Sequence, residues 1–364
     1  MDLGKRTERW LKRGLFGLLL GRGREIGGSV DLAEVRRVLV VRANFRMGNL
    51  LLVTPALAAL RRALPQARID ILGGRAYLDL LEHSPNVDGR IGIDRRMLMA
   101  PWSLLSLVRH LRRQHYDLAF DGGRGSSFLG AFLVGVSGSR RRVAAAESRY
   151  DALFDVHVPL DRESLHKVDL LLALLAGLGI ETRERTPSVT LTTEEREQAT
   201  ARWRALGVAP EKPAIAVNVG ARGAKRWQEE RVVELVRALC AEHDRPVVIL
   251  AGPEDEEHLR EMRPLLPASV VVAPRMAIRA FAAFLSQAAV LVTQDTGPMH
   301  LAAAVGVPTV ALLVAPRSVT FAPRGQYDRA VFTGRAARVP AVLEAVRAAL
   351  DRPQGTTSAI GGGA

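Results

Sequence analysis

From residue 37 onward the chain alternates short apolar runs with amphipathic stretches, and this alternation limits the fold more than any other feature. The first run, Val-Leu-Val-Val at 38–41, is typical of a strand buried on both faces of a parallel sheet. Further strand-like runs lie at 69–72, 117–120, 214–219, 247–251, 290–293 and 309–313. Helical patterns separate most of them, including 50–64, 229–242, 254–263 and 279–288. Strands that alternate with helices predict an α/β fold with doubly wound parallel sheets.

The chain is long enough for two such domains. At about 100 to 200 residues per domain, its 364 residues suggest two rather than one. Segment 186–213 contains three prolines and a polar helical stretch at 194–206. We interpret it as the connection between a Rossmann-like domain at 34–185 and a second one at 214–351. Residues 1–33 form a separate basic segment, and the tail 352–364, rich in Gly, Ser and Thr, is expected to be disordered.

The charge balance and the cysteine content narrow the partners and the compartment. An excess of 51 Lys and Arg over 38 Asp and Glu favours an anionic partner, which can be nucleic acid, anionic lipid or a phosphorylated substrate. Aromatic residues make up only 5% of the chain, which argues against a stacking platform for nucleic acid. The single cysteine, Cys240, excludes an intramolecular disulfide and a cysteine-built zinc site, so we expect a reducing, cytoplasmic location.

The segment 1–33 contains a short basic amphipathic helix. Its leucines at 11, 15, 18 and 19 share one helical face, and basic side chains at 6, 9, 12 and 13 lie elsewhere around the helix. The apolar part is too short to span a membrane and lacks a signal-peptide cleavage site. Two interpretations remain open, a surface anchor on anionic lipid and a helix that packs on the body of the protein.

The most informative motif follows the strand-like run at 290–293. There, Asp-Thr-Gly-Pro-Met-His at 295–300 leads from a buried strand into a helix of small residues, with Asp295 or Thr296 as the natural N-cap. Free N–H groups and the helix dipole would form an anion site at the carboxyl end of a strand, where α/β sheets bind ligands. The alternative is that Asp295 only caps the helix and His300 fills a polar niche.

Two further loops follow strand-like runs. The loop at 218–227 contains small residues and three cations, which suit a diphosphate, although a solvated basic loop is an equal alternative. It is not the phosphate loop of nucleotide hydrolases, because Lys225 is followed by Arg226 rather than by Ser or Thr. The turn at 42–49 contains Gly48, which permits close approach to the backbone, and Asn49 at the start of a helical pattern.

Together these segments resemble glycosyltransferase family 9, the ADP-heptose:lipopolysaccharide heptosyltransferases. The resemblance runs from about residue 38 to 323. It is carried by Asp-Thr-Gly-Pro-Met-His at 295–300, Lys-Arg-Trp at 225–227, His-Lys-Val-Asp at 166–169, and Arg-Met-Gly-Asn at 46–49 with Thr-Pro-Ala-Leu at 54–57. It implies the GT-B architecture, two Rossmann-like doubly wound domains facing a cleft, inversion at the sugar carbon, and no requirement for a metal or another cofactor.

The resemblance also implies roles for matched residues. The domain at 34–185 would bind the acceptor, with contacts from Arg42, Arg46 and Gly48, and the domain at 214–351 would bind a nucleoside diphosphate sugar. The implied donor contacts are Lys225, Glu254, Asp295, Thr296, Gly297, Pro298 and His300. Of these, 296–298 would hold the diphosphate through backbone N–H groups. Lys225 would neutralise the leaving diphosphate, which carries the charge that develops in the transition state.

The sequence departs from the family at the position of its general base. The family usually has Asp directly after the glycine of the first turn, where this chain has Asn49. An amide cannot act as a general base, so Asp121, at the end of a neighbouring predicted strand, is the best candidate for that role. The alternative is a catalytically altered or inactive protein that binds nucleotide sugars.

The sequence therefore predicts an inverting glycosyltransferase. It would move a sugar, expected to be heptose, from a nucleoside diphosphate to a lipopolysaccharide-type glycolipid at the inner face of the cytoplasmic membrane. Its partners would include an anionic membrane surface and no nucleic acid. A weaker alternative is a nicotinamide-dependent oxidoreductase, suggested by Gly123 and Gly125 with Glu147 further on, but Phe128 stands where the fingerprint needs a third glycine.

Overall fold

The computed structural model describes residues 30–123, 127–146, 150–160, 166–221, 223, 226–314, 316–325, 327–332 and 339–351. Four sequence predictions lie outside the described residues. These are the amphipathic helix within 1–33, Lys225, the disordered tail 352–364, and most of the oxidoreductase fingerprint, including Gly125 and Glu147. None of the helices in the described ranges combines the length and the apolar content that a bilayer crossing requires.

The chain divides into two compact units, 1–190 and 191–364. The strands of the first unit are β1 (Arg37–Arg42), β2 (Arg68–Gly74), β3 (Gly89–Ile93), β4 (Leu118–Asp121), β5 (Arg141–Ala145) and β6 (Val156–Val158). Its helices are α1 (Met47–Leu51), α2 (Thr54–Ala63), α3 (Arg75–Leu78), α4 (Arg95–Met99), α5 (Pro101–Arg113), α6 (Phe128–Val136) and α7 (Lys167–Ala176). The strands form one parallel sheet in the order β3-β2-β1-β4-β5-β6.

The second unit repeats this plan. Its strands are β7 (Ile215–Asn218), β8 (Val247–Leu250), β9 (Val271–Val272), β10 (Val290–Gln294), β11 (Thr309–Leu313) and β12 (Arg329–Phe332). Its helices are α8 (Thr193–Ala205), α9 (Glu229–Glu242), α10 (Glu256–Met262), α11 (Ile278–Leu285), α12 (Gly297–Ala304) and α13 (Val339–Leu350). The sheet is again parallel, in the order β12-β11-β10-β7-β8-β9.

Both sheets have the doubly wound strand order, with the first strand of each unit paired to the second on one side and the fourth on the other. The residues of β7, β8, β10 and β11 are all buried, as the continuous apolar runs of the sequence require. Apolar faces of α9 and α13 cover the second sheet through Val236, Leu239, Val342 and Val346. These observations confirm the α/β doubly wound class.

The strand order places a switch point at the centre of each sheet. The chain crosses to opposite sides of the sheet after β1 and β4 in the first unit, and after β7 and β10 in the second. At such a point the loops that leave the carboxyl ends of the two strands diverge and leave a crevice, which is where open α/β sheets bind ligands. The fold therefore selects the loops after these four strands as candidate sites.

The boundary between the two units falls within the segment 186–213 that we interpret as a connection. The helix of that segment, α8, packs on α11 within the second unit. The indole of Trp203 stacks on the ring of Phe284 with centroids 3.9 Å apart, and its Nε1 donates to the Phe284 carbonyl at 2.8 Å. A capping box between Thr192 and Glu195 begins α8, so local chemistry and packing both fix this helix.

Candidate functional site

At the switch point of the first sheet, Arg42 holds Asn49 from two sides. Nε of Arg42 donates to the backbone carbonyl of Asn49 at 2.9 Å, and Nη2 donates to the carboxamide oxygen at 3.0 Å. Arg42 ends β1, and Asn49 lies half-buried in the first turns of α1. The side chain at 49 is therefore oriented by a fixed cation, but an amide nitrogen can only donate hydrogen bonds.

Asp121 ends the neighbouring strand β4, in register with Val41 of β1. Its side chain is only 3% exposed, and its Oδ1 accepts the backbone N–H of Gly123 at 2.8 Å. A Cβ added to Gly130, in the first turn of α6, would lie 2.7 Å from both carboxylate oxygens. The carboxylate thus rests against the start of α6, where the helix dipole favours a negative charge.

Arg42 is also a neighbour of Asp121. A Cβ added to Gly123 would lie 2.9 Å from Oδ1 of Asp121 and 3.0 Å from Nη1 of Arg42. The guanidinium and the carboxylate therefore flank the same point, and Arg42 contacts the environments of both Asn49 and Asp121. The structure brings these three residues, all of them predicted site residues, together at one end of one sheet.

The other two residues predicted to bind the acceptor lie next to this group along the chain. Arg46 directly precedes α1, and its side chain is exposed. Gly48 is buried inside α1. Arg46 is accordingly placed to reach an anionic group in solution, and Gly48 packs within the helix that carries Asn49.

At the switch point of the second sheet, the helix α12 begins without a side-chain cap. Thr296 is its N-cap residue, and the Thr296 hydroxyl lies within hydrogen-bond distance of the Gln294 carbonyl at 3.2 Å instead of the helix N–H groups. Pro298 has no N–H and occupies the first turn. The implied role of 296–298 as three N–H donors is therefore wrong for Pro298, and the donors of this turn are the N–H groups at 296, 297 and 299.

Asn218 fixes the shape of this turn from the neighbouring strand. It ends β7 and is 5% exposed. Its Nδ2 lies 3.1 Å from the Gly220 carbonyl, 3.0 Å from the Thr293 hydroxyl and 3.1 Å from the Thr296 hydroxyl. The sequence analysis included Asn218 in a basic loop but did not predict this role. The signal that could have identified Asn218 is its position as a polar residue at the end of an apolar strand next to a switch point.

Gln294 ties the loop after β7 to the end of β10. Its Oε1 accepts the backbone N–H of Trp227 at 2.6 Å, and Trp227 itself is buried in the core. Lys225, the predicted partner of the leaving diphosphate, precedes Trp227 by two positions but lies outside the described residues. The bond to Gln294 anchors the chain at Trp227 to the end of β10.

The two other predicted residues of this turn are buried side chains. Asp295 is 8% exposed, and its Oδ2 accepts the Ser318 hydroxyl at 2.7 Å. Ser318 lies in a 3₁₀ helix, Pro316–Phe321, that follows β11. His300 is 5% exposed within α12. The carboxylate of Asp295 thus connects the turn to the next loop, and Thr296 rather than Asp295 is the N-cap.

Glu254 and Asp255 occupy different environments after β8. The Glu254 side chain is exposed at the surface of the second unit. Asp255 is 8% exposed, and it pairs with Nη2 of Arg226 at 3.2 Å while accepting the Gly252 N–H at 3.0 Å. Arg226 is therefore engaged within the protein, and the other two cations of this loop, Arg222 and Lys225, lie outside the described residues.

One group of potential metal ligands lies within the described part of the chain, on α9 and α10. Ligand atoms of Glu229, His258 and Glu261 lie within 4.8 Å of one another. Nδ1 of His258 is 2.6 Å from Oε1 of Glu229, so these two side chains already form a direct hydrogen bond. That hydrogen bond by itself accounts for the proximity of Glu229 and His258.

Comparison with known proteins agrees with this arrangement of two sheets and two switch points. Residues 104–340 match the model of glycosyltransferase family 9 (heptosyltransferase). Over 290 residues the chain is 23% identical to lipopolysaccharide heptosyltransferase 3 of Escherichia coli, which covers 76% of this chain and 83% of the relative.

Solved structures show the same fold. A family 9 glycosyl transferase from Veillonella parvula superposes with a TM-score of 0.80 at 20% identity, covering 89% of this chain and 99% of that structure. An E. coli heptosyltransferase with ADP-2-deoxy-2-fluoro heptose superposes with a TM-score of 0.64 at 21% identity, covering 85% and 99% of the two chains. The architecture is therefore that of the GT-B transferases.

Proposed function

Because this chain belongs to glycosyltransferase family 9, we propose that it transfers a heptose from ADP-heptose to a lipopolysaccharide-type glycolipid, with inversion at the sugar carbon. The heptosyltransferase relative acts in lipopolysaccharide synthesis by its name, and one similar structure holds an ADP-heptose analogue. A glycolipid acceptor further implies that the transfer reaction takes place at the inner face of the cytoplasmic membrane. The side chains at the two switch points support separate donor and acceptor sites.

The donor proposal rests on the turn before α12. The N-cap side chain leaves the first-turn N–H groups to a ligand, and Asn218 fixes the loop that presents them. A diphosphate fits such a turn because backbone donors and the helix dipole both favour anions. Lys225 would add a positive charge, Asp295 and His300 would line the turn, and Glu254 would meet the nucleoside.

The acceptor proposal rests on the group around Arg42. In it, Arg42 and Arg46 bind the anionic part of the glycolipid, and the amide of Asn49 donates to the acceptor hydroxyl. Asp121 takes the proton of that hydroxyl as its oxygen bonds to the sugar carbon and the diphosphate leaves from the opposite face. The Gly123 N–H holds Oδ1 of Asp121, and the start of α6 and Arg42 lie beside the carboxylate, so its position is fixed for this role.

A second function has one observation in its favour. The residue that Arg42 orients is the amide Asn49, where the family usually has a carboxylate. A protein that binds ADP-heptose without transferring it would keep the donor turn and lose the base. Such a protein would bind the donor as tightly as the transferase and release no ADP in the presence of acceptor.

Calorimetry and a transfer assay test the proposal together. We expect binding of ADP in preference to UDP, GDP or NAD, unchanged by excess chelator, and release of ADP when ADP-heptose meets heptose-free lipopolysaccharide. Binding without ADP release would favour the second function. Preference for NAD would overturn both.

Lys225→Ala tests the donor site. We expect it to weaken ADP binding by about 1.5 to 3 kcal/mol, the scale of a hydrogen bond to a charged group. Lys212→Ala is the matched control, because Lys212 lies in the same unit and pairs with the exposed Asp244. Equal dissociation constants for wild type and Lys225→Ala would reject the role of Lys225.

A further inference from the structure

The first unit exposes a group of large apolar side chains on α4 and α5. Met99 is 84% exposed, Trp102 is 81% exposed and Leu105 is 37% exposed. Met99 ends α4, and the other two lie one helical turn apart near the start of α5. We call Met99, Trp102 and Leu105 the apolar ridge.

Packing of the two helices does not account for the ridge. Met97 and Leu98 of α4 pack against the core of the first unit, and Leu107 and Leu111 of α5 are buried in it. The inner faces of both helices are thus already satisfied by other residues. Exposure of a tryptophan and a methionine to water is energetically unfavourable, and an exposed apolar patch of this kind marks an interaction surface.

The charges around the ridge have one sign. Segment 95–116 contains five arginines and no aspartate or glutamate. All five side chains are exposed, namely Arg95, Arg96, Arg109, Arg112 and Arg113. Asp94, just before the segment, accepts the Met97 N–H as the N-cap of α4 and pairs with Arg75. The surface therefore combines apolar side chains with a strong local positive charge.

We propose that this surface binds the anionic face of a membrane, with Trp102 and Met99 inserted at the lipid interface and the arginines on headgroup phosphates. Tryptophan favours that interface because it has an apolar body and one N–H donor. A basic helix face with exposed apolar residues lies flat on anionic lipid for the same reasons. A second copy of the chain is a poor occupant, because it would bring ten arginines together across one contact.

The surface adjoins the candidate acceptor site. The guanidinium carbon of Arg95 lies 5.7 Å from the ring centroid of Phe45, in the loop between β1 and α1. That loop continues through Arg46 to Asn49. A glycolipid whose acyl chains stay in the membrane would present its sugar beside this loop. Only this link to the acceptor rests on the proposed function, because membrane binding follows from exposure and charge.

Vesicle co-sedimentation of the full chain tests the proposal. We expect salt-sensitive binding to phosphatidylglycerol vesicles and far less binding to phosphatidylcholine vesicles. Trp102→Ser with Met99→Ser should weaken binding about tenfold or more. Arg109→Gln with Arg113→Gln should weaken it about 25-fold, at about fivefold for each basic residue near an anionic surface. Two control variants change exposed residues of the second unit and should leave binding unchanged. One is Leu265→Ser, and the other combines Arg204→Gln with Arg260→Gln.

Tryptophan fluorescence locates the contact independently of residues 1–29. The chain has four tryptophans, of which Trp203 and Trp227 are buried. In a Trp10→Phe variant, brominated phosphatidylglycerol should quench Trp102, and a further Trp102→Phe substitution should remove the quenching while sedimentation remains. A bound Trp10→Phe variant without quenching would overturn the proposal, as would the absence of vesicle binding.

Further outcomes separate the membrane-surface proposal from the proposed transferase function and from dimerisation through the apolar ridge. Transfer to a deacylated, soluble acceptor should be the same for wild type and Trp102→Ser with Met99→Ser, and transfer to an acceptor embedded in vesicles should fall at least tenfold. If no acceptor is glycosylated but brominated lipid still quenches Trp102, the proposed function fails and the membrane surface stands. Dimers that Trp102→Ser dissociates, without vesicle binding, would overturn the surface.

Discussion

At the scale of single residues, the amide at position 49 limits which side chain of the first switch point can accept a proton, because an amide cannot act as a general base. Arg42 stands between Asn49 and Asp121, so only one of its two neighbours carries a negative charge. With Asp at 49, the guanidinium would meet two carboxylates. In this chain Asp121 is the carboxylate that flanks Arg42 at this point, and this is why we propose Asp121 as the base.

Asp121→Asn tests that assignment. We expect it to lower the single-turnover rate of sugar transfer by about 10² to 10⁴-fold, the contribution of a positioned general base. The ADP dissociation constant should stay within about twofold of wild type, because Asp121 and the donor turn belong to different units. Robust transfer by this variant would reject Asp121 as the base.

Asn49→Asp is the complementary change. If Asp121 is the base, the new carboxylate should pair with Arg42 and give little gain in transfer. If the wild-type protein turns over no donor and Asn49→Asp restores measurable transfer, the chain is a degenerate transferase. Circular dichroism of both variants checks that the overall secondary structure is intact.

At the residue scale, the positions of some site residues can be predicted from the sequence, and the hydrogen bonds of others cannot. The turn residues 295–300 follow an apolar strand, and Asp121 is the last residue of another. Their position at the carboxyl ends of the strands could therefore be predicted. The hydrogen bonds of Asn218 and Gln294 could not, because they join residues about 70 positions apart. The role of Pro298 could have been corrected from chemistry alone, since proline carries no N–H.

At the scale of elements, the start of α6 is built around the carboxylate of Asp121. Gly130 has no Cβ, and its absence lets the side chain of Asp121 lie against the helix. Ordinarily glycine weakens a helix by about 1 kcal/mol relative to alanine. The glycine at this position therefore provides space that an alanine Cβ would fill.

Gly130→Ala should move the carboxylate. A methyl group 2.7 Å from both oxygens must displace them, so we expect lower transfer with unchanged ADP affinity, and no net gain in the free energy of unfolding from better helix propensity. A double-mutant cycle with Asp121→Ala measures the clash, since alanine at 121 removes it. Additive free energies of unfolding in that cycle would contradict the steric explanation.

Element prediction succeeded best for central strands. The runs predicted at 38–41, 214–219, 247–251, 290–293 and 309–313 are confirmed as β1, β7, β8, β10 and β11, because strands buried on both faces are apolar throughout. The runs at 69–72 and 117–120 are likewise confirmed as β2 and β4. The strand β5, inside the first sheet, was not predicted, and neither were the edge strands β3, β6, β9 and β12. Edge strands such as β3 and β9 are only partly buried, so their sequences carry a weaker signal. The predicted helix at 50–64 is two helices, α1 and α2, separated at 52–53.

At the scale of the whole molecule, one carboxylate links stability to pH. Asp328 supports the start of β11 by accepting the Thr309 N–H at 3.0 Å. Burial raises the pKa of Asp328 to about 6 from its ordinary value of 3.8, although backbone donors at Gly325 and Thr309 oppose the shift. The folded protein thus holds a proton more tightly at this side chain than the unfolded chain does.

The free energy of unfolding, measured as a function of pH, should show this difference in proton affinity. The stabilising effect of the bound proton is complete below about pH 4 and is lost as the pH rises to about 6, so wild type should lose about 1 to 2 kcal/mol relative to Asp328→Asn across that window. Urea unfolding of both proteins at several pH values measures the difference. The amide also loses one hydrogen-bond acceptor, but that loss is constant with pH. A constant difference between the two proteins from pH 4 to 7 would contradict the shift.

The repeated strand order of the two sheets has a consequence for engineering. Every pairing of each sheet is closed within its own unit, and the boundary falls in the connecting segment near residue 190. On the proposed assignment of acceptor binding to the first unit and nucleotide binding to the second, we expect the first unit to be exchangeable without altering the nucleotide site. Chimeras joined near residue 190, with a first unit from another family member, should keep the nucleotide preference of this chain and take the acceptor preference of the other parent.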